Sequence, residues 1–266
     1  MPAGRTEILR APDWARKSGD MGMLSKAKLA LQNYRFKLWR LRHPQATFKD
    51  YFAAIAKDDL ARGRQHPSLG EHLKWGDRAE LGGASFKRLL KYGIAPQDGF
   101  VDYGCGTLRM GVHAIRFLER GRYWGFDIDQ ALLDEGARLI GPELERKAPN
   151  LRVISASSVR EAAQAKPALL VSLKVLIHVH PDELDEYFGN ILTIIGTSGR
   201  AILTGKWSSG EPFQFARQSW AHSLERLKET VARNGGQLVV LKEEDSPRTD
   251  IISEAKTGTL EVYAAR

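Results

Sequence analysis

From residue 99 onward the chain alternates short apolar stretches with longer segments of helical periodicity, and this alternation limits the fold more than any other feature. The apolar stretches, read as strands, are 99–103, 122–127, 151–156, 168–173, 199–204, 237–243 and 258–265. Helices are expected between them at 107–119, at 129–140 closed by Gly141-Pro142, and in a short piece after Ser158. Another starts at Pro181, which suits the first helical position, with Asp182 and Glu183 in the first turn. The last runs from about Ser219 to Asn234 and stops at Gly235-Gly236. Alternation of this kind implies a parallel sheet with helices on both faces. No helix separates the last two strands, so they are expected to pair antiparallel at one edge.

Residues 1–76 read as a basic helical extension and 77–266 as the α/β domain. In the extension Leu24, Ala27, Leu31, Tyr34, Leu38 and Leu41 recur at spacings of three and four, one apolar stripe along a helix. Lys28, Arg35 and Arg42 flank the stripe, with Lys26, Lys37 and Arg40 nearby. His43-Pro44 ends the helix, since the residue before a proline avoids the helical region. Further helices are expected at 47–60, from Ser68, where Glu71 completes a capping box, and over about 77–92, ending at Gly93. Charge follows the same division. Residues 1–75 hold 15 Lys and Arg against 7 Asp and Glu, whereas the remaining 191 hold 25 of each. The net charge of +8 therefore lies in the extension, and any basic partner-binding surface belongs there.

No run approaches ~18 consecutive apolar residues, so no membrane-spanning helix is expected. The opening stretch also lacks the apolar core of a signal peptide. The single cysteine, Cys105, excludes a disulfide framework and a cysteine-based zinc site. No metal site is expected, and a reducing, cytoplasmic location is the simplest reading.

In a parallel sheet, ligands bind at the carboxyl ends of the strands, near the switch in strand order. The stretch FVDYGCGTLRMG, residues 100–111, sits at such an end. Gly104 and Gly106 permit a tight turn that brings backbone close to a ligand, and the helix that follows presents free N–H groups to the same place. The second strand, RYWGFDID, ends in Asp127, 23 residues past Gly104. A carboxylate there accepts hydrogen bonds from the two hydroxyls of a ribose, so the two strands together suggest a nucleoside-type cofactor. A dinucleotide fingerprint would place a third glycine where Arg109 stands, and no Gly-Lys-Ser/Thr of a phosphate loop occurs.

This stretch resembles motif I of the class I S-adenosylmethionine-dependent methyltransferases, whose acid precedes the first glycine by two residues, here Asp102. The resemblance spans about 77–266. It includes YWGFDID and the run LLVSLKVLIHVHPDELDEYFGNILTIIGTSGRAILTG. It implies a Rossmann-like, seven-stranded, mostly parallel α/β sheet with helices on both faces and an antiparallel edge hairpin. It also implies S-adenosyl-L-methionine as cofactor, with Gly104, Cys105 and Gly106 around the methionine part and Asp102 near its cationic amino group. Asp127 would meet the ribose, the adjoining Ile128 would also contact the cofactor, Ser157 would flank the adenine, and Ser172 and Leu173 would lie beside the sulfonium. Two positions depart from the family. Leu108 stands where a further glycine is common, and the third strand is followed by SASS and no acid for the adenine. The family also implies that the extension closes over the acceptor as a lid, with Tyr34, Phe36 or Trp39 in the pocket wall. A second subunit, giving a homodimer, and a peripheral membrane contact through 24–42 are the other partners open to its stripe.

A hydroxyl acceptor needs a base, and His178 and His180 follow the fourth strand on the ligand side. Alternatively His178 packs or caps the helix from Pro181. Lys174 and Arg109 are placed to contact an acidic acceptor or to be solvated surface residues. The Asn/Asp-Pro-Pro-Tyr turn of base amino methylation is replaced by SLKV, and the lone thiol Cys105 sits inside the cofactor turn, which excludes a cytosine C5 enzyme. The aromatic loop 205–220 is a candidate wall of the acceptor pocket. The favoured function is methyl transfer to a small molecule, a hydroxyl of a sugar, glycan or secondary metabolite. The alternatives are an RNA methyltransferase gripping phosphates through the extension and a non-catalytic S-adenosylmethionine-binding protein.

Overall fold

In a computed structural model, which describes residues 23–62, 79–216, 218–245 and 255–265, five parallel strands form the centre of the sheet. They are β1 (Phe100–Tyr103), β2 (Tyr123–Asp127), β3 (Asn150–Val153), β4 (Leu169–Leu173) and β5 (Arg200–Ser208), in the order β3-β2-β1-β4-β5. The order reverses between β1 and β4, so a crevice opens at their carboxyl ends. β1 and β2 are buried along their whole length, Asp102 and Asp127 included, which is why they are otherwise apolar. Side chains on β1 alternate between faces. Val101 and Tyr103 enter one apolar core, and Phe100 enters the other with Tyr123.

Among the described residues nine strands are present where seven were expected. β6 (Phe213–Ala216) and β7 (Ser219–Ser223) form an antiparallel hairpin in the region read as a loop and the start of a helix. β5 runs past the end of β4, and Trp207 and Ser208 pair in parallel with His222 and Ser223 of β7. The expected edge hairpin exists as β8 (Gly236–Asp245) and β9 (Ala255–Ala264), with β9 inside, antiparallel to β5 from Arg200↔Tyr263 to Ser208↔Ala255.

Helices α1 (Met23–Arg42) and α2 (Phe48–Ala61) form the described part of the extension, and α3 (Ala79–Leu89) leads to β1. The helix expected from Ser68 lies outside the described residues. A reciprocal cap starts α2: Thr47 Oγ1 accepts from the Asp50 N–H at 3.3 Å, and Asp50 Oδ2 accepts from the Thr47 N–H at 2.8 Å. Between strands lie α4 (Gly111–Phe117), α5 (Gln130–Ile140), α6 (Glu143–Lys147), α7 (Ala156–Gln164), α8 (Leu184–Ile195) and α9 (Leu224–Arg233). Helix α4 begins four residues later than expected, because residues 107–110 complete the turn after β1.

The apolar stripe of α1 does not face the domain. Phe36 packs on Phe48 and Tyr51, each 5.1 Å between ring centres, and Trp39 lies 5.3 Å from Tyr51. Asn33 Nδ2 donates to Gln214 Oε1 at 3.1 Å. This second face docks on α2 and β6, and it turns Leu31, Tyr34, Leu38 and Leu41 outward. No helix among the described residues is long and apolar enough to cross a membrane.

Candidate functional site

A cavity opens at the switch between β1 and β4, walled by the turn after β1, the ends of β2 to β4, α2 and α8. The turn is built on two left-handed glycines, Gly104 (φ +85°) and Gly106 (φ +54°). A Cβ on Gly104 would stand 2.2 Å from Val175 Cγ2, whereas one on Gly106 would meet nothing within 4 Å. The N–H groups of Gly104 and Cys105 both donate to the Phe126 carbonyl, at 2.7 and 2.9 Å, folding the turn over the end of β2.

Asp127 fastens the same turn from β2. Its Oδ2 accepts from the Gly106 N–H and its Oδ1 from the Ile128 N–H, both at 2.8 Å. Burial raises its pKa to about 6 against the pull of these N–H groups, so it is ionised at neutral pH, and its remaining lone pairs can serve a ligand. Ile128, Leu132 and Ile154 line the cavity beside it with apolar surface. Ser157 lies elsewhere: it is exposed in the first turn of α7, 3.0 Å from Ser155 Oγ, and Ile154 lines the cavity instead.

Asp102 also points away from the cavity. It shares a sheet face with Phe100, so its carboxylate lies in the core and accepts from the Tyr123 hydroxyl at 2.9 Å. Burial raises its pKa to about 7. The residue therefore braces two strands and does not meet the cavity. Ser172 is likewise internal, donating to the Tyr103 carbonyl at 2.9 Å and accepting from the Tyr187 hydroxyl at 2.8 Å. Leu173 and Cys105 do line the cavity. Burial pushes the Cys105 thiol well above its ordinary value, which disfavours the reactive thiolate.

The two histidines separate. His178 lines the cavity, and its Nδ1 is 2.7 Å from the Gln218 carbonyl. A carbonyl only accepts, so Nδ1 carries the proton and Nε2 holds the lone pair. Burial lowers its pKa, so the ring is neutral near pH 7. His180 does not line the cavity. Its Nδ1 accepts from the Asp182 N–H at 3.2 Å, capping the turn that starts at Pro181. Its ring packs against Phe48 and Trp220, both at 5.3 Å. Capping thus falls to His180 and cavity lining to His178.

Lys174 and Arg109 reach the cavity, and Lys174 does so from a left-handed backbone (φ +63°) with its N–H on Thr204 Oγ1 at 2.8 Å. The aromatics of 205–220 do not line it. Trp220 packs on Phe48 at 4.8 Å, and the hairpin's contribution is the carbonyl that holds His178. Sequence reasoning missed Lys49 and Phe52 on α2, and Glu183, Glu186, Tyr187 and Asn190 leading into and along α8. The last four recur at spacings of three, one and three, a polar helix face that was a usable signal. Lys49 links the two helices: its N–H donates to Glu183 Oε1 at 2.9 Å and its Nζ to Glu186 Oε1 at 2.6 Å. Among the described residues no group of three or more His, Cys, Asp or Glu is placed to hold a metal ion.

No family model and no curated protein matches this sequence. Solved structures do match. The geranyl diphosphate C-methyltransferase of Streptomyces coelicolor A3(2), in complex with Mg2+, geranyl diphosphate and S-adenosyl-L-homocysteine, is 17% identical with a TM-score of 0.58, over 83% of this chain and 99% of that one. The O-methyltransferase of a Brevibacillus brevis trans-AT PKS multienzyme, in complex with S-adenosyl-L-homocysteine, is 14% identical with a TM-score of 0.54, over 74% and 78%. The [4+2]-cyclase SpnF is 12% identical with a TM-score of 0.53, over 68% and 80%. With the strand order, the switch-point cavity and the glycine turn already described, these likenesses establish the fold of this chain as that of the class I S-adenosylmethionine-dependent methyltransferases.

Proposed function

We propose that this protein is an S-adenosylmethionine-dependent methyltransferase acting on a hydroxyl group of a small molecule. The observation that carries the reading is the meeting, in one cavity, of the Gly104–Gly106 turn, the Asp127 carboxylate and a neutral His178 of fixed tautomer. The residues fit the cofactor. Gly106 leaves open space for the methionine part, Asp127 suits the ribose hydroxyls, and Ile128, Leu132 and Ile154 suit the adenine faces. When bound, the cofactor supplies an electrophilic methyl group. The protein's own part is to orient the acceptor, to exclude water with Phe52 and α2, and to take the hydroxyl proton on His178 Nε2. The Lys49–Glu186 pair holds α2 against α8 across this end of the cavity.

Calorimetry tests the cofactor reading. S-adenosylmethionine should bind at micromolar affinity, and Asp127→Ala should weaken it by roughly 1.5–3 kcal/mol, about 10- to 150-fold, for lost charge-assisted hydrogen bonds. Unchanged affinity in the variant removes the ribose role, and binding of NAD in its place overturns the proposal. Because a [4+2]-cyclase shares the fold, transfer of an isotope-labelled methyl group to hydroxylated acceptors is the deciding assay for the reaction.

A further inference from the structure

Helix α1 carries on its outer side a row of large apolar residues with no partner in the described structure. Leu31 is 56% exposed, Tyr34 58%, Leu38 43% and Leu41 76%. At 100° per residue the four fall within about 80° of arc. Basic residues border the row on both sides, Arg35 and Arg42 along one edge and Lys37 along the other, all exposed. The helix holds six Lys and Arg and no acid. Its opposite side is fixed to the protein through Asn33, Phe36 and Trp39.

We propose that the outer face of α1 is a docking surface for a membrane rich in anionic lipid. Charge decides between the possible occupants. A second copy meeting this face about a two-fold axis would bring two acid-free, six-cation helices together, and like charges would oppose the contact. Nucleic acid would meet the flanking cations but would leave the central leucines facing phosphate and water. A lipid interface satisfies both: the acyl boundary takes the leucines, Tyr34 sits at headgroup depth, and the flanking cations meet anionic headgroups. The helix then lies on the membrane and does not span it. Helix α2 is left between the membrane and the cavity, since it packs on α1 through Phe48 and Tyr51 and lines the cavity with Lys49 and Phe52. The inference does not depend on the reaction proposed for the cavity.

Sedimentation of the full chain with vesicles tests it, using phosphatidylcholine alone and an equimolar mixture with phosphatidylglycerol. The protein should sediment with the mixed vesicles only, and raising the salt several-fold should release it. Leu31→Gln, Leu38→Gln and Leu41→Gln together should lower vesicle affinity by at least about tenfold, with an unchanged melting temperature, because these side chains are already exposed. Arg35→Glu with Lys37→Glu and Arg42→Glu should abolish the preference for anionic lipid. Three results would overturn the proposal: no binding of the wild type to mixed vesicles, equal binding by the triple glutamine variant, or a dimer in solution that this variant dissociates. Calorimetric binding of S-adenosylmethionine by the same variants is a separate readout, so the two proposals fail independently.

Discussion

Replacing Asp102 with asparagine tests whether this residue is a core brace or a cofactor ligand. In the folded protein its carboxyl has a pKa of about 7 against an ordinary 3.8, chiefly because burial penalises the charge, with Asp127 adding repulsion and the Tyr123 hydroxyl opposing both. A carboxyl whose folded pKa is raised contributes stability that is complete below its unfolded pKa and is lost as pH rises through the folded one. Between about pH 5 and pH 8 the wild type should therefore lose about 3 kcal/mol through this group, two pKa units at ~1.4 kcal/mol each. Asparagine keeps an oxygen for the Tyr123 hydroxyl and cannot ionise. Its amide N–H groups need an acceptor, at a cost of ~1–3 kcal/mol that does not vary with pH. The informative quantity is thus the difference between the two proteins at each pH, which cancels the dependence that Asp127 contributes to both. Urea unfolding at the two pH values measures it. Asp102→Asn should gain about 3 kcal/mol on the wild type as pH rises from about 5 to 8. Parallel pH profiles would refute the buried, ionisable brace, and a large loss of S-adenosylmethionine affinity at both pH values would return Asp102 to the cofactor.

Other expectations follow from the same geometry. A Cβ on Gly136 would lie 2.8 Å from Leu108 Cγ and 3.0 Å from the Thr107 carbonyl carbon, so Gly136→Ala should destabilise by roughly 1–3 kcal/mol despite alanine's better helix propensity; an unchanged urea midpoint would show that α5 is free to shift. His178→Ala should lower turnover about 100-fold while cofactor affinity stays near wild type, and full turnover at saturating acceptor would place deprotonation elsewhere. Because burial lowers the His178 pKa below 6.5, turnover should rise with pH to a plateau reached by neutrality; a rate still rising well above neutral pH would exclude this histidine as the base.

What the sequence disclosed depended on whether the cause was local. β1, β2 and β4 were legible because they are buried almost throughout and read as largely apolar wherever they lie in the chain. β3 is only half-buried and was legible from its place in the alternation. The β6–β7 hairpin was not. Residues 219–234 carry one helical pattern, and pairing with β6 and with the overhanging end of β5 makes 219–223 a strand. The stripe of α1 was visible, but its direction was set by the other face, where Phe36, Trp39 and Asn33 find Phe48, Tyr51 and Gln214. Asp102 stands two residues from Gly104, yet strand alternation sends it with Phe100 into the core. That parity was available in the sequence and outweighs nearness along the chain.

Leu108 shows how a departure from a family pattern acquires a physical reason. It takes a left-handed conformation (φ +62°), which costs an L-residue roughly 1–2 kcal/mol and explains why glycine suits this step of the turn. Its side chain is fully buried, running against Gly111 and Gly136, where added Cβ atoms would lie 3.1 Å from Leu108 Cδ2 and 2.8 Å from Leu108 Cγ. Burying a leucine contributes roughly 1.5–3 kcal/mol, which offsets the backbone strain. The freedom that a glycine would give the turn is exchanged for an anchor beneath it, and the need for small residues passes to α4 and α5. A turn held from below in this way keeps the Gly106 N–H aimed at Asp127, so the wall proposed for the cofactor is held in place by the chain's own contacts.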